Sequence, residues 1–178
     1  MNAALHKQIF NTLLDIKFKY YILGLLTDRY FKFDRNVNIF LTLTSSGSIA
    51  AWAVWDKFTW VWALIIAISQ VLNLIKPYFQ FSKYSKEFNQ KYILLQNIVN
   101  NFEKFYFKVQ HKKIDEEQAL ELFFDFKQEI EKTLNFSDET VFDVSNKMKN
   151  KANYKMKVYL KKNYNINLTD SQKIKKDE

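Results

Sequence analysis

The sequence predicts an all-α protein: a two-span transmembrane helical hairpin joined to a cytoplasmic helical bundle and assembled as an oligomer. Three observations carry that expectation. The 178 residues hold 17 Phe, 10 Tyr and 4 Trp but only 2 Gly and 1 Pro, so the breakers that strand hairpins and glycine-rich phosphate loops need are missing. Two stretches, 36–55 and 58–75, run for 20 and 18 residues without a charge. At about 1.5 Å per residue, each comes close to crossing about 30 Å of hydrocarbon. Elsewhere the apolar residues recur at steps of three and four, the period of a helix with one buried face.

Composition also excludes chemistry. With no Cys there is no disulfide framework, thiolate zinc site or thiol nucleophile. Two histidines, His6 and His111, are too few for a histidine metal site within one chain. No cofactor is expected. The net charge of +8 suits an anionic partner, nucleic acid or lipid headgroups.

The expected organisation is an amphipathic cytoplasmic helix over 1–35, a transmembrane hairpin over 36–77 with spans at 38–55 and 58–75, a cytoplasmic helical domain over 78–164, and a polar tail over 165–178. In the first segment Leu5, Ile9, Leu13, Ile16, Tyr20 and Leu23 share a helical face, and Gly24 interrupts it at a position suited to a bend. Around the hairpin turn at Asp56-Lys57 stand all four tryptophans, Trp52, Trp55, Trp60 and Trp62, one half of an interfacial aromatic belt. The opposite ends carry the cations: Lys17, Lys19, Arg29, Lys32 and Arg35 before the first span, Lys76, Lys83 and Lys86 after the second. The positive-inside rule then places both termini in the cytoplasm of a multi-pass inner-membrane protein. Pro77 closes the second span. The start lacks the cationic, apolar and small-residue regions of a cleavable signal peptide.

The first span is only weakly apolar. Thr42, Thr44, Ser45, Ser46 and Ser48 crowd its cytoplasmic half, with Gly47 and Ala51 at small-xxx-small spacing. The second span repeats that spacing at Ala63 and Ala67 and carries Ser69, Gln70 and Asn73 at its cytoplasmic end. In an antiparallel hairpin Thr44 lies level with Ser69, so the polar ends share one depth. Each hydroxyl can bond its own backbone one turn earlier. Gln70 and Asn73 fit that account poorly, and the group points to helix packing beyond the hairpin, hence oligomerisation, or to a wet lumen. Thr42, Ser45, Ser46, Gly47, Ala51, Ser69 and Asn73 are therefore the pore-lining or helix-packing candidates.

Beyond Pro77, Phe81, Tyr84, Phe88, Leu95, Ile98, Phe102, Phe105 and Val109 form a heptad seam with Lys91 at its one irregular position. Tyr92, Val99 and Tyr106 widen the stripe, favouring a bundle helix over a coiled coil. Asp115 and Gln118 have the spacing of a capping box, with Ile114 placed to staple onto Ala119, and open a helix whose buried face holds Ala119, Phe123, Phe126, Ile130 and Leu134. Ser137-Asp138-Glu139 starts a last helix with Val141, Val144, Met148, Ala152, Met156 and Tyr159, ending near Lys161-Lys162. Charge is segregated: residues 103–143 hold 6 Lys against 11 acids, and residues 147–178 hold 10 Lys against 3. Three readings remain open: pairing of acidic and basic faces within one bundle, pairing between neighbouring subunits around a ring, or capture of RNA or anionic lipid by the basic end.

Catalysis is not expected. A ribonuclease of the HEPN type needs an Arg and a His within about six residues. The two arginines, Arg29 and Arg35, have no nearby His, and neither His6 nor His111 has an Arg beside it. The carboxylates Asp115, Glu116, Glu117 and Glu121 stand at a helix start, where capping accounts for them.

The segments 41–47, Leu41-Thr42-Leu43-Thr44-Ser45-Ser46-Gly47, and 68–78, from Ile68 through Ser69, Gln70 and Asn73 to Pro77 and Tyr78, carry a resemblance. In arrangement the chain resembles the SLATT-like two-transmembrane effectors of bacterial antiphage defence. Its length and layout are similar to the small accessory membrane proteins of type VI-B CRISPR systems. The resemblance implies a ring-shaped homo-oligomeric pore in the lipid bilayer that depolarises infected cells and enhances RNA-guided defence. An RNA-guided effector nuclease or its RNA product would be the trigger. The family's degenerate HEPN-like motif has no counterpart in an Arg–His pair here. The competing class is a membrane-anchored adaptor or RNA-binding protein whose hairpin is only a tether.

Overall fold

The computed structural model describes residues 2–52, 59–79, 81–136 and 144–166, with side chains described for all of these except 45–52, 59, 62, 76–79 and 81–82. The all-α expectation holds: the described residues form five helices and no strand. These are α1 (Ala3–Trp52), α2 (Thr59–Phe79), α3 (Phe81–Gln110), α4 (Glu116–Leu134) and α5 (Asn146–Tyr164). They divide into two compact units, Met1–Leu26 with Phe88–Glu178, and Thr27–Glu87.

The first unit is a bundle of the start of α1, most of α3, and α4 and α5. Its core follows the sequence period closely. On α1, Ile9, Leu13, Ile16, Leu23 and Leu26 are buried, and on α3 the seam residues Phe88, Leu95, Ile98, Phe102, Phe105 and Val109 are buried together with Val99 and Tyr106. The widened stripe on α3 thus serves several neighbours at once, as a bundle helix must. Phe102 meets Phe123 and Phe126 of α4 edge-on at 6.4 and 5.1 Å. Burying each such ring contributes about 1.5–3 kcal/mol. Phe10 of α1 packs on Tyr106 of α3 and Tyr164 of α5 at 5.4 and 5.5 Å.

The caps are mixed. Asp115 caps α4, accepting from the Gln118 backbone N–H at 2.8 Å, and Ala119, Phe123 and Ile130 line its buried face. At its far end Lys91 of α3 donates to the carbonyls of Thr133, at 3.1 Å, and Asn135, with its ammonium 4.7 Å from the Phe136 ring centre. The irregular seam position is therefore a cross-helix cap. The last helix departs from expectation. Val144 and Ser145 are non-helical and α5 begins only at Asn146, with Ser145 before it as N-cap. Residues 137–143, including Val141, lie outside the described residues. The end comes at Tyr164, past Lys161-Lys162, where Asn165 takes the left-handed conformation (φ 54°) that commonly stops a helix.

Gly24 does not bend α1, which runs unbroken through it. A Cβ there would lie 2.9 Å from Cε2 of Tyr92. Tyr92 stacks on Tyr20, with ring centres 4.9 Å apart and hydroxyls 2.8 Å apart. The glycine is needed for close approach, not for a turn.

The second unit takes the remainder of α1, all of α2 and the start of α3, where Tyr30 meets Tyr84 edge-on at 6.3 Å. The expected boundary at 35/36 falls inside α1, and α2 runs past Pro77 to Phe79 instead of closing before it. Proline removes one N–H and crowds the carbonyl four residues back, but leaves the following residues free to bond upstream. Among the described residues, no helix is long and apolar enough to cross a membrane. Residues 53–58, where the two expected spans meet, lie outside the described residues.

Candidate functional site

Within the second unit the candidates from the sequence are spread over two helices. Thr42 is exposed and donates to the Asn38 carbonyl at 2.8 Å; with Arg35, Asn38 and Leu43 it lines a shallow groove of about 430 Å³. Thr44 donates to the carbonyls of Phe40 and Leu41 at 3.0 and 3.1 Å. Ser69 is buried and donates to the Ile65 carbonyl at 2.8 Å. These three hydroxyls are satisfied one turn back on their own helices. Asn73 is exposed. Ser45, Ser46, Gly47, Ala51 and Trp52 lie on α1 and Trp62 on α2, but their side chains, and the whole of Trp55, fall outside the described residues. Trp60 stands exposed on the first turn of α2.

The surface around these residues is apolar. On α2, Trp60, Leu64, Ile68, Val71 and Leu74 are all exposed, and at 100° per residue they share one flank. The buried flank is the one that carries Ser69. On α1, Phe31, Phe33, Ile39 and Leu43 are exposed. A helix in water shows the reverse pattern, polar outward and apolar inward.

A second site lies in the first unit, and sequence reasoning missed it. A cleft of about 720 Å³ opens between α1, α3 and α5, its wall formed by Tyr106, Tyr159 and Tyr164 and its rim by Gln110, Lys162 and Asn163. At its base Lys17 is buried and donates to Oε1 of Glu103 at 2.6 Å. The hydroxyl of Tyr159 donates to the same oxygen at 2.5 Å, and the Lys17 ammonium sits 4.4 Å from the Tyr159 ring centre. Tyr164 reaches the Tyr159 hydroxyl at 3.4 Å. Burial, followed by the hydrogen bond to Glu103, pushes the Tyr159 phenol well above the usual tyrosine range. Burial likewise raises Tyr106 and Tyr164. All three phenols are neutral at pH 7 and act as hydrogen-bonding groups.

Lys17, expected among the cations before the first span, is the counter-ion of Glu103. One signal was present. Lys17 sits four residues after Leu13 and three before Tyr20, in the register of the buried face, and a cation there requires a partner. Among the described residues, no three His, Asp or Glu side chains come together as metal ligands. No protein-family model, curated protein or solved structure matches the chain.

Proposed function

We propose that the second unit is a membrane-embedded helical hairpin. It anchors the bundle at the cytoplasmic face of a bacterial inner membrane and assembles with other copies into a pore that depolarises the membrane in antiviral defence. The observation that carries this reading is the outward apolar flank of α2, with Leu74 70% exposed and Trp60 69%, opposite a buried Ser69. Contiguous apolar surface of this kind marks a contact with lipid or protein. The own-helix bonds of Thr42, Thr44 and Ser69 make such helices tolerable in hydrocarbon, because these three hydroxyls are paired there. Assembly draws support from the small residues Ala63 and Ala67 and the exposed amide of Asn73 on α2. The defence setting, and an RNA-guided effector or its RNA product as trigger, rest on the resemblance set out from the sequence. No catalytic step is assigned to any residue.

The test is reconstitution into liposomes under a potassium gradient, read with a voltage-sensitive dye. The wild-type chain is expected to collapse the potential. Replacing Thr42, Ser45 and Ser46 together by Val or Ala should abolish conduction with oligomer size unchanged, since a dry constriction raises the barrier to ions. His6→Ala and His111→Ala should conduct normally. A wild-type chain that leaves the vesicles on alkaline extraction, with the potential intact, overturns the reading.

A further inference from the structure

Among the described residues, the acidic and basic helices of the first unit form no ion pair with each other. α5 carries seven lysines and no Asp or Glu over its 19 residues, and all seven lysines are exposed. None of them makes an ion pair among the described residues, and neither do Glu117, Glu121, Asp125, Glu129 and Glu131 of α4. Pairing within one bundle, the first of the three readings of the segregated charge, is therefore not what these lysines do there. They are also ordered. At about 100° per residue, Lys147, Lys151, Tyr154, Val158 and Lys161 fall within about 80° of one another, opposite the buried Ala152, Met156 and Leu160. From Lys147 to Lys161 this face runs for about 21 Å, and the step from Lys147 to Lys151 is about 6 Å. In its middle stands Tyr154, 68% exposed, with neither ring nor hydroxyl partnered among the described residues.

We infer that this outward face of α5 binds a single strand of nucleic acid, its phosphates against Lys147, Lys151 and Lys161 and one base stacked on Tyr154. A row of ammonium groups attracts phosphates without reading sequence. Tyr154 adds what a row of charges lacks, a bare aromatic face. Stacking on it requires a base with a free face, which a single strand offers and a duplex does not. An anionic membrane suits the face less well. A helix that lies in a membrane surface inserts its apolar flank, and that of α5 is already spent in the bundle core. The acidic α4 of a second copy also suits it less well, because Lys127 and Lys132 interrupt the six acids of that helix. The face belongs to the first unit, so strand binding and membrane conduction can fail independently.

Fluorescence anisotropy tests it on the full chain in detergent, with a fluorescein-labelled ten-nucleotide oligouridine. Binding is expected to weaken with salt along a double-logarithmic slope of about −0.7 for each phosphate neutralised. Lys147→Gln together with Lys151→Gln should make that slope shallower by about 1.4. Tyr154→Ala should weaken binding about tenfold and leave the slope unchanged, whereas Tyr154→Phe, which keeps the ring, should bind as the wild type does. These positions are exposed, so the fold should survive each change, with circular dichroism as the check. Lys132→Gln, at an exposed lysine of α4, should alter neither affinity nor slope. A wild-type chain that binds no strand at low salt overturns the inference, and so does full affinity in Tyr154→Ala. Displacement of the strand by micelles doped with phosphatidylglycerol, with no effect of Tyr154, would assign the face to anionic lipid. Loss of the oligomer in Lys147→Glu with Lys151→Glu, restored by mixing with Glu117→Lys, Glu121→Lys chains, would assign it to a second copy. Either of these results also overturns it.

Discussion

The stretch of α1 up to Leu26 and the stretch from Thr27 onward belong to one uninterrupted helix, yet the two units use it in opposite ways. In the first unit Ile9, Leu13, Ile16, Leu23 and Leu26 are sealed in a core, while Asp15 and Lys19 pair at 2.7 Å on the outside. In the second, Phe31, Phe33, Ile39 and Leu43 face outward. A regular apolar period defines an inside by itself; an apolar stretch without one acquires an inside only from what surrounds it. The first unit therefore carries its own solvent boundary, and the second borrows one.

Ile68 and Leu120 make the most direct test, because both are 44% exposed, one in each unit. On the proposed membrane reading, Ile68→Asp should weaken insertion by about 3 kcal/mol. Leu120→Asp, at a water-facing site on α4, should change stability by no more than about 0.5 kcal/mol. Membrane fractionation of both variants checks the pair, and equal behaviour would erase the distinction. Next in size, Gly24→Leu should cost the first unit about 2 kcal/mol, since a Cβ there already presses on Tyr92 and would part it from Tyr20. The loss should show as reduced amide protection in α1 and α3. Asp115→Ala should cost about 1 kcal/mol and fray the first turn of α4.

The smallest effect is in alkaline titration. Tyr106, Tyr159 and Tyr164 have folded pKa values raised above the unfolded value of about 10, chiefly by burial. The folded state thus holds these protons longer than the unfolded one. Their contribution is complete below about pH 10 and is lost as pH rises beyond it. Phenolate absorbance should then appear late and together with loss of helical circular dichroism. Ionisation of these three tyrosines near pH 10 with the fold intact would contradict the described packing.

What the sequence revealed and what it hid divide along the same line. The seam from Phe88 to Val109 and the Asp115 cap were legible because each depends on neighbours one or two turns away. The start of α5 was misplaced because Ser137-Asp138-Glu139 has the local grammar of a helix start, while α5 begins at Asn146. The cleft was hidden because it joins Lys17 to Glu103 across 86 positions and Glu103 to Tyr159 across 56. Periodicity marked Tyr106 and Tyr159 as apolar stripe and could not show that the Tyr106 hydroxyl would end without a partner among the described residues. In the second unit, the own-helix bonds of Thr42, Thr44 and Ser69 were one of two readings open for such residues, and a bond of four positions or fewer is within reach of sequence reasoning.

Lys91 ties two helices together in time as well as in space. The last carbonyls of α4 are held by an ammonium that α3 supplies, above a phenyl ring that follows α4. A helix finished by its own residues can fray at that end without consulting its neighbours. Here, opening the end of α4 strips Lys91 of its acceptors, and any opening of α3 around Lys91 strands the carbonyls of Thr133 and Asn135. The two segments should therefore exchange their amide hydrogens as a single cooperative block, with one shared opening free energy, and Lys91→Met should split that block into two with different rates.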